Sequence, residues 1–250
     1  MKRMISVIVL AIVLASSSAW AADATAALDL NSAYVWRGIT LNDGLVAQPS
    51  LDVSKNGFGL NVWGNYDIDD YDNTLDDNDF QEIDLTAYYS FNIDKLDFTV
   101  GVINYVFPSS GLPATLELYG TVGTTLAGGL SIALGFYYDV DEVESFYSDL
   151  SLSYAMNLSD KLGLEVGAKV GYAGEDFAEY YSTAATDGGF YDYGFSLILT
   201  YAVNDALSVG ANINYTNSVD DDVLPDADVA SGVYGVDTKV YGGVSIAYTF

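Results

Sequence analysis

Histidine and cysteine are both absent from the chain, and with them go imidazole general-base catalysis, thiolate nucleophiles and nitrogen or sulfur metal sites. Carboxylates are what remains in quantity: 35 Asp and Glu stand against 8 Lys and Arg, a formal net charge of −27. Two acids about 5–9.5 Å apart would suffice for glycoside hydrolysis. Nothing singles out such a pair among so many, so neither an enzyme activity nor a cofactor is expected. Asp69, Asp70, Asp72, Asp76, Asp77 and Asp79 crowd one short run and offer hard oxygen ligands of the kind Ca²⁺ and Mg²⁺ take. The run lacks the Gly and terminal Glu of an EF-hand loop, which leaves weak divalent binding or a solvated charge run as its readings. Nucleic acid is excluded as a partner, because phosphate binding needs a basic footprint.

The elements that carry these residues are not disordered, since 50% of the chain is hydrophobic and 21 residues are Tyr. At the N-terminus Lys2 and Arg3 precede an apolar stretch from Met4 to Leu14, followed by Ala19-Trp20-Ala21. That order predicts an export leader cleaved before Ala22, dividing the chain into residues 1–21 and 22–250. The stretch falls short of the roughly 20 apolar residues of a spanning helix. Without Cys, neither a lipoprotein modification nor a disulfide framework is available.

From Leu28 onward apolar and polar or small residues alternate with period two, the signature of strands. The register predicts twelve, over residues 28–37, 45–54, 58–68, 81–91, 96–107, 115–124, 130–140, 146–156, 162–172, 191–203, 207–216 and 236–250. Their connections sort by parity. Even-numbered strands are followed by short turns such as Lys55-Asn56-Gly57, and odd-numbered ones by longer acidic stretches such as Asp69–Phe80, Ala173–Phe190 and Asn217–Gly235. A soluble sandwich has no reason to sort its loops this way. An outer-membrane barrel does, with short periplasmic turns, long extracellular loops and both termini periplasmic. The expected fold is therefore all-β: a transmembrane antiparallel up-and-down β-barrel in the outer membrane of a Gram-negative bacterium.

The two faces of each strand agree. Leu130, Ile132, Leu134, Phe136 and Tyr138 suit lipid, while Ser131, Ala133, Gly135, Tyr137 and Asp139 suit a polar lumen. Outward aromatics are expected in two girdles, with Tyr34, Trp36 and Tyr172 at the loop rim and Phe58, Tyr89 and Phe98 at the turn rim. At the C-terminus Val244, Ile246, Tyr248 and Phe250 alternate with small residues and end on an aromatic. This resembles the signal read by the barrel-assembly machinery, and closure is required because an open edge is unsatisfied in lipid.

Sorting charge by face turns Asp29, Asp52, Asp67, Glu82, Asp84, Asp97, Glu117, Asp139, Asp149, Glu165, Asp192 and Asp237 inward, against Arg37, Lys169 and Lys239. Asp67, Glu82, Asp84, Glu117, Asp139, Asp149, Asp192 and Asp237 fall toward the long loops, as do the three bases. An open ring of carboxylates would favour cations. Equally, the bases could pair with the acids and plug the barrel. Tyr105, Tyr119, Tyr137 and Tyr147, inward from neighbouring strands, could stack on a sugar or nucleoside ring or simply fill space. Twelve strands lie between the roughly eight that pack solid and the sixteen that leave an aqueous channel.

The segment Asn31-Ser32-Ala33-Tyr34-Val35-Trp36-Arg37-Gly38-Ile39-Thr40 resembles the opening strand of the Gcw_chp family of outer-membrane proteins, whose pattern is Ser-Asp-Tyr-x-Phe-Arg-Gly-x-Ser. Similar stretches are Gly57-Phe58 through Val62-Trp63-Gly64, Tyr105-Val106-Phe107-Pro108 and Glu117-Leu118-Tyr119. Ala33, Trp36 and Thr40 depart from the pattern, so no role of its acid carries over to position 33. The resemblance implies location and fold; the family has no established activity to lend.

Two functions are expected to compete. One is a small passive diffusion channel, porin-like, with an anionic mouth that prefers cations. The other is a plugged structural barrel that displays acidic loops and transports nothing. Expected partners are outer-membrane lipid, lipopolysaccharide bridged through divalent ions, the assembly machinery, and small solutes or cations.

Overall fold

A computed structural model describes residues 22–71, 78–228 and 233–250. The predicted leader over 1–21 lies outside them, as do Asp72, Asp76 and Asp77. The elements in chain order are β1 (Asp23–Asn31), β2 (Tyr34–Trp36), β3 (Ile39–Asn42), β4 (Val46–Lys55), β5 (Phe58–Asp67), β6 (Phe80–Ile93), β7 (Leu96–Val106) and β8 (Thr115–Thr125). There follow β9 (Leu130–Asp139), β10 (Phe146–Asn157), β11 (Leu162–Ala173), a short helix α1 (Glu175–Tyr181), β12 (Gly189–Ala202), β13 (Leu207–Ser218) and β14 (Val240–Thr249).

Twelve of these strands, β1 and β4 to β14, close into one antiparallel barrel, with β1 paired on one edge to β14 and on the other to β4. Closure satisfies every strand edge, which is what a strand-built wall needs in hydrocarbon. The burial pattern is inverted relative to a soluble fold. Leu60 is 64% exposed and Val244 56%, while Asp67 and Asp192 are 0% exposed. Apolar side chains coat the outside and carboxylates lie within, as the period-two register requires. Short turns close one rim: Asn56 (φ 53°) and Gly57 (φ 86°) join β4 to β5 in the left-handed pair that matches strand twist. The long connections, including α1, all gather at the opposite rim.

The first and last predicted strands need correction. The alternation over 28–37 was expected to be one strand, but β1 spans Asp23–Asn31, and the chain then turns into the lumen as the two-stranded hairpin β2–β3. Tyr34 and Trp36, expected in the outer girdle, are inside: Tyr34 is 8% exposed and Trp36 stacks on lumen rings. The final strand begins at Val240 and not at 236. Asp237 is consequently exposed in the preceding loop and does not face the lumen. Lys239 reaches Asp226 at 3.2 Å, both substantially exposed.

Candidate functional site

The β2–β3 hairpin turns through Arg37 and Gly38, whose φ values are 48° and 85°. A two-residue turn of this hand needs both residues left-handed, which glycine adopts without strain. Gly38 is required for space as well: a Cβ there would lie 2.7 Å from both Asp192 Cβ and Leu224 Cδ2. The hairpin tip thus presses directly onto the wall. Its second strand is tied to the last long loop, with Thr40 N–H donating to Gly235 O at 2.9 Å and Thr40 Oγ1 accepting from Thr238 N–H at 2.9 Å.

Around the hairpin the long-loop rim carries its own apolar core, in which Ile39, Phe177, Tyr191, Leu224 and Val236 are among the most buried residues. Helix α1 contributes through one face. Glu175 and Asp176 occupy its first turn, where the helix dipole favours negative charge. Phe177 and Tyr181, one turn apart, stack at 4.8 Å and face inward. Hairpin, helix and last loop together form a plug in the mouth.

Arg37 is the centre of this plug. Its Nη1 and Nη2 donate to Glu117 Oε1 and Oε2 at 2.6 and 2.8 Å, a fork-on-fork pair whose side chains are 8% and 2% exposed. Tyr105 Oη donates to Glu117 Oε2 at 2.8 Å. The guanidinium carbon lies 4.3 Å from the Trp36 ring centre, 4.7 Å from Tyr137, 4.6 Å from Tyr147 and 5.5 Å from Phe177, within range for cation–π attraction. Burial is the largest single influence and works against the charge, but attraction and hydrogen bonding from Glu117, together with Tyr105 and Tyr181, raise the pKa of Arg37. At the hairpin base, burial and then the carboxylates of Glu82 and Asp84 push the Tyr34 phenol well above its ordinary range. Tyr34 accordingly stays protonated and donates to Glu82 at 3.0 Å.

Of the predicted mouth acids, Asp67, Glu82, Glu117, Asp139 and Asp192 converge here as buried anchors. Asp192 accepts from Tyr147 Oη at 2.8 Å and pairs with Lys169 at 2.8 Å. Asp139 takes the backbone N–H of Asp141 and Val143, which folds the short 140–145 loop inward, and the Thr115 hydroxyl. Asp67 ends a relay of amides that sequence reasoning missed. Asn214 donates to Asn212, Asn212 to Asn31, Asn31 to Gln48, Gln48 to Asn65, and Asn65 to Asp67 Oδ1 at 2.7 Å. All of these dipoles point the same way, so the chain is polarised toward the carboxylate. The signal was present as inward Asn and Gln on β13, β1, β4 and β5.

At and below the plug the lumen is asymmetric. Tyr119 stacks on Tyr137 at 5.7 Å, and Tyr137 meets Tyr147 at 6.3 Å, so three predicted wall tyrosines form a row and Tyr105 joins through Glu117. Across from them, small residues leave a cavity of about 350 Å³ whose lining includes Ser151, Ser153, Glu165, Lys169, Ser196 and Asn214. No basic side chain pairs with Asp29, Asp52, Asp149 or Glu165 among the described residues. Asp84 lies beside Glu82 on the inward face of β6. Of the acidic run, Asp69, Asp70 and Asp79 are described, and no cluster of three or more acids suited to a metal occurs among the described residues.

A hollow cylinder of twelve strands, apolar outside and carboxylate-lined inside, is an outer-membrane β-barrel fold. The chain belongs to the bacterial family of unknown function designated Gcw_chp, which matches residues 15–244. Among solved structures it is similar to the KdgM porin in complex with disordered oligogalacturonate, at 12% identity and a TM-score of 0.53, over 91% of this chain and 99% of that one. It is similar to the NanC porin at 11% identity and 0.51, over 92% and 99%. The COG4313 outer membrane channel from Pseudomonas putida F1 matches at 11% identity and 0.58, over 92% and 95%. These likenesses concern the fold. No curated protein is significantly similar in sequence.

Proposed function

We propose that the protein is a gated outer-membrane channel for small cationic solutes, with its termini in the periplasm and its long-loop mouth shut at rest by the internal plug. The observation that carries this reading is the division of the lumen at Arg37. Above it the barrel is packed with apolar side chains. Below it, carboxylates without basic partners and a cavity of about 350 Å³ remain. Neutralising the mouth bases by Glu117 and Asp192 leaves the interior net negative, which concentrates cations. The porin and channel descriptions of the similar structures support the same direction.

The test is conductance in planar bilayers. The wild type is expected to give rare or small steps, and Arg37→Ala large discrete ones with a reversal potential on the cation-selective side. A second reading, a permanently plugged barrel displaying acidic loops, is favoured by the size of the mouth core. Absence of steps from Arg37→Ala would select it.

A further inference from the structure

The groups that hold Arg37 come from two sources. Glu117, Tyr105, Tyr137 and Tyr147 belong to the barrel strands β7 to β10, whereas Trp36 and Phe177 belong to the plug. If the hairpin withdrew, the wall would still present a carboxylate fork with a phenol donated to it and two ring faces within 5 Å of the position the cation now occupies. The site is deeply buried, and its present occupant is a guanidinium at the end of a tether. We infer that this wall is a guanidinium-recognition site which Arg37 fills as a built-in stand-in, and that alkylguanidinium solutes compete for it and thereby release the plug. This deepens the channel reading and rests on it for the consequence of release, though not for binding itself.

The chemistry selects the ligand class. A planar guanidinium meets a carboxylate through two parallel N–H donors and offers a flat face to aromatic rings, and an ammonium does neither. A soluble ligand must outcompete a tethered one whose effective concentration is about millimolar. Occupation from solution is therefore easiest to read where the tether lacks its head group.

The experiment uses the processed full chain in detergent and in bilayers, with ethylguanidinium chloride as probe and ethylammonium chloride at equal ionic strength as control. In Arg37→Ala, ethylguanidinium should raise the melting temperature, with ethylammonium needing about tenfold more for the same shift. The shift should vanish in Arg37→Ala/Glu117→Gln. Arg37→Gln, which keeps the side-chain stem, serves if the alanine variant does not fold. In the wild type, ethylguanidinium should increase open time.

Equal effects of the two cations, or a shift that survives loss of Glu117, would overturn the inference. Channel steps without a guanidinium-specific shift would leave the channel reading standing and remove this one. A guanidinium-specific shift without steps in any variant would do the reverse.

Discussion

Arg37 and Glu117 are 80 residues apart in sequence and meet through two parallel hydrogen bonds in the barrel mouth. One stands at the tip of a hairpin that belongs to no wall strand, and the other is a wall residue of β8, so the pair joins the plug to the wall. Removing one partner strands a buried charge and costs about 3–5 kcal/mol. That loss falls on the plug, because the barrel's own ladder does not depend on it. Glu117→Gln should therefore expose the Arg37–Gly38 bond to trypsin while the barrel still runs as a folded, heat-modifiable species. Resistance equal to the wild type would show that the pair does not hold the hairpin.

Gly38→Ala should loosen the plug for two reasons at once, a left-handed φ costing roughly 1–2 kcal/mol and a Cβ driven against Asp192 and Leu224. Gly128 supplies the comparison, since its φ is 93° and nothing lies within 4 Å of a Cβ there. Gly128→Ala should show the backbone strain without the clash, leaving trypsin resistance at Arg37 unchanged.

Much of this is legible in the sequence. Period-two alternation gave the register, because a barrel wall must bury one face and offer the other to lipid. Sorting of loops by parity gave the topology. The first strand extends too far in the sequence reading because Leu28, Leu30, Tyr34 and Trp36 share one register across the consecutive polar pair Asn31-Ser32 at which β1 ends, and Arg at a left-handed position hides a turn that Asn-Gly, as at Asn56-Gly57, would announce. The segment that resembles the family's opening strand is in fact mostly plug. The latch was half visible: Arg37 and Glu117 were both placed at the mouth, but folding of loops back into the lumen depends on tertiary packing of Phe177 and Leu224, which carries no local period.

The amide relay makes a sharper energetic claim. Asn65→Leu interrupts it beside Asp67 and leaves a buried carboxylate oxygen without its amide donor, costing about 1–3 kcal/mol. Replacing both, as Asn65→Leu/Asp67→Leu, should recover part of that loss. Unfolding midpoints in urea read the two variants, and equal stability of Asn65→Leu and the wild type would contradict the relay's contribution.

Selectivity should reside in the unpaired acids below the plug. Asp149→Asn with Glu165→Gln is expected to move the reversal potential of an opened variant toward zero. An unchanged potential would locate selectivity elsewhere, or nowhere.

Phe177→Ala removes an aromatic ring from the mouth core, a loss of about 3–5 kcal/mol where the site cannot collapse. Proteolysis within the 174–188 connection should accelerate, with the barrel's melting unaffected.

Amide hydrogen exchange over residues 34–42 reaches the heart of the account, because it reports whether this segment is packed in the mouth and what holds it there. Protection comparable to the wall strands in the wild type, falling about tenfold or more in Glu117→Gln, is the predicted result. Exchange as fast as the exposed loops in both proteins would mean that the hairpin is not a latched plug.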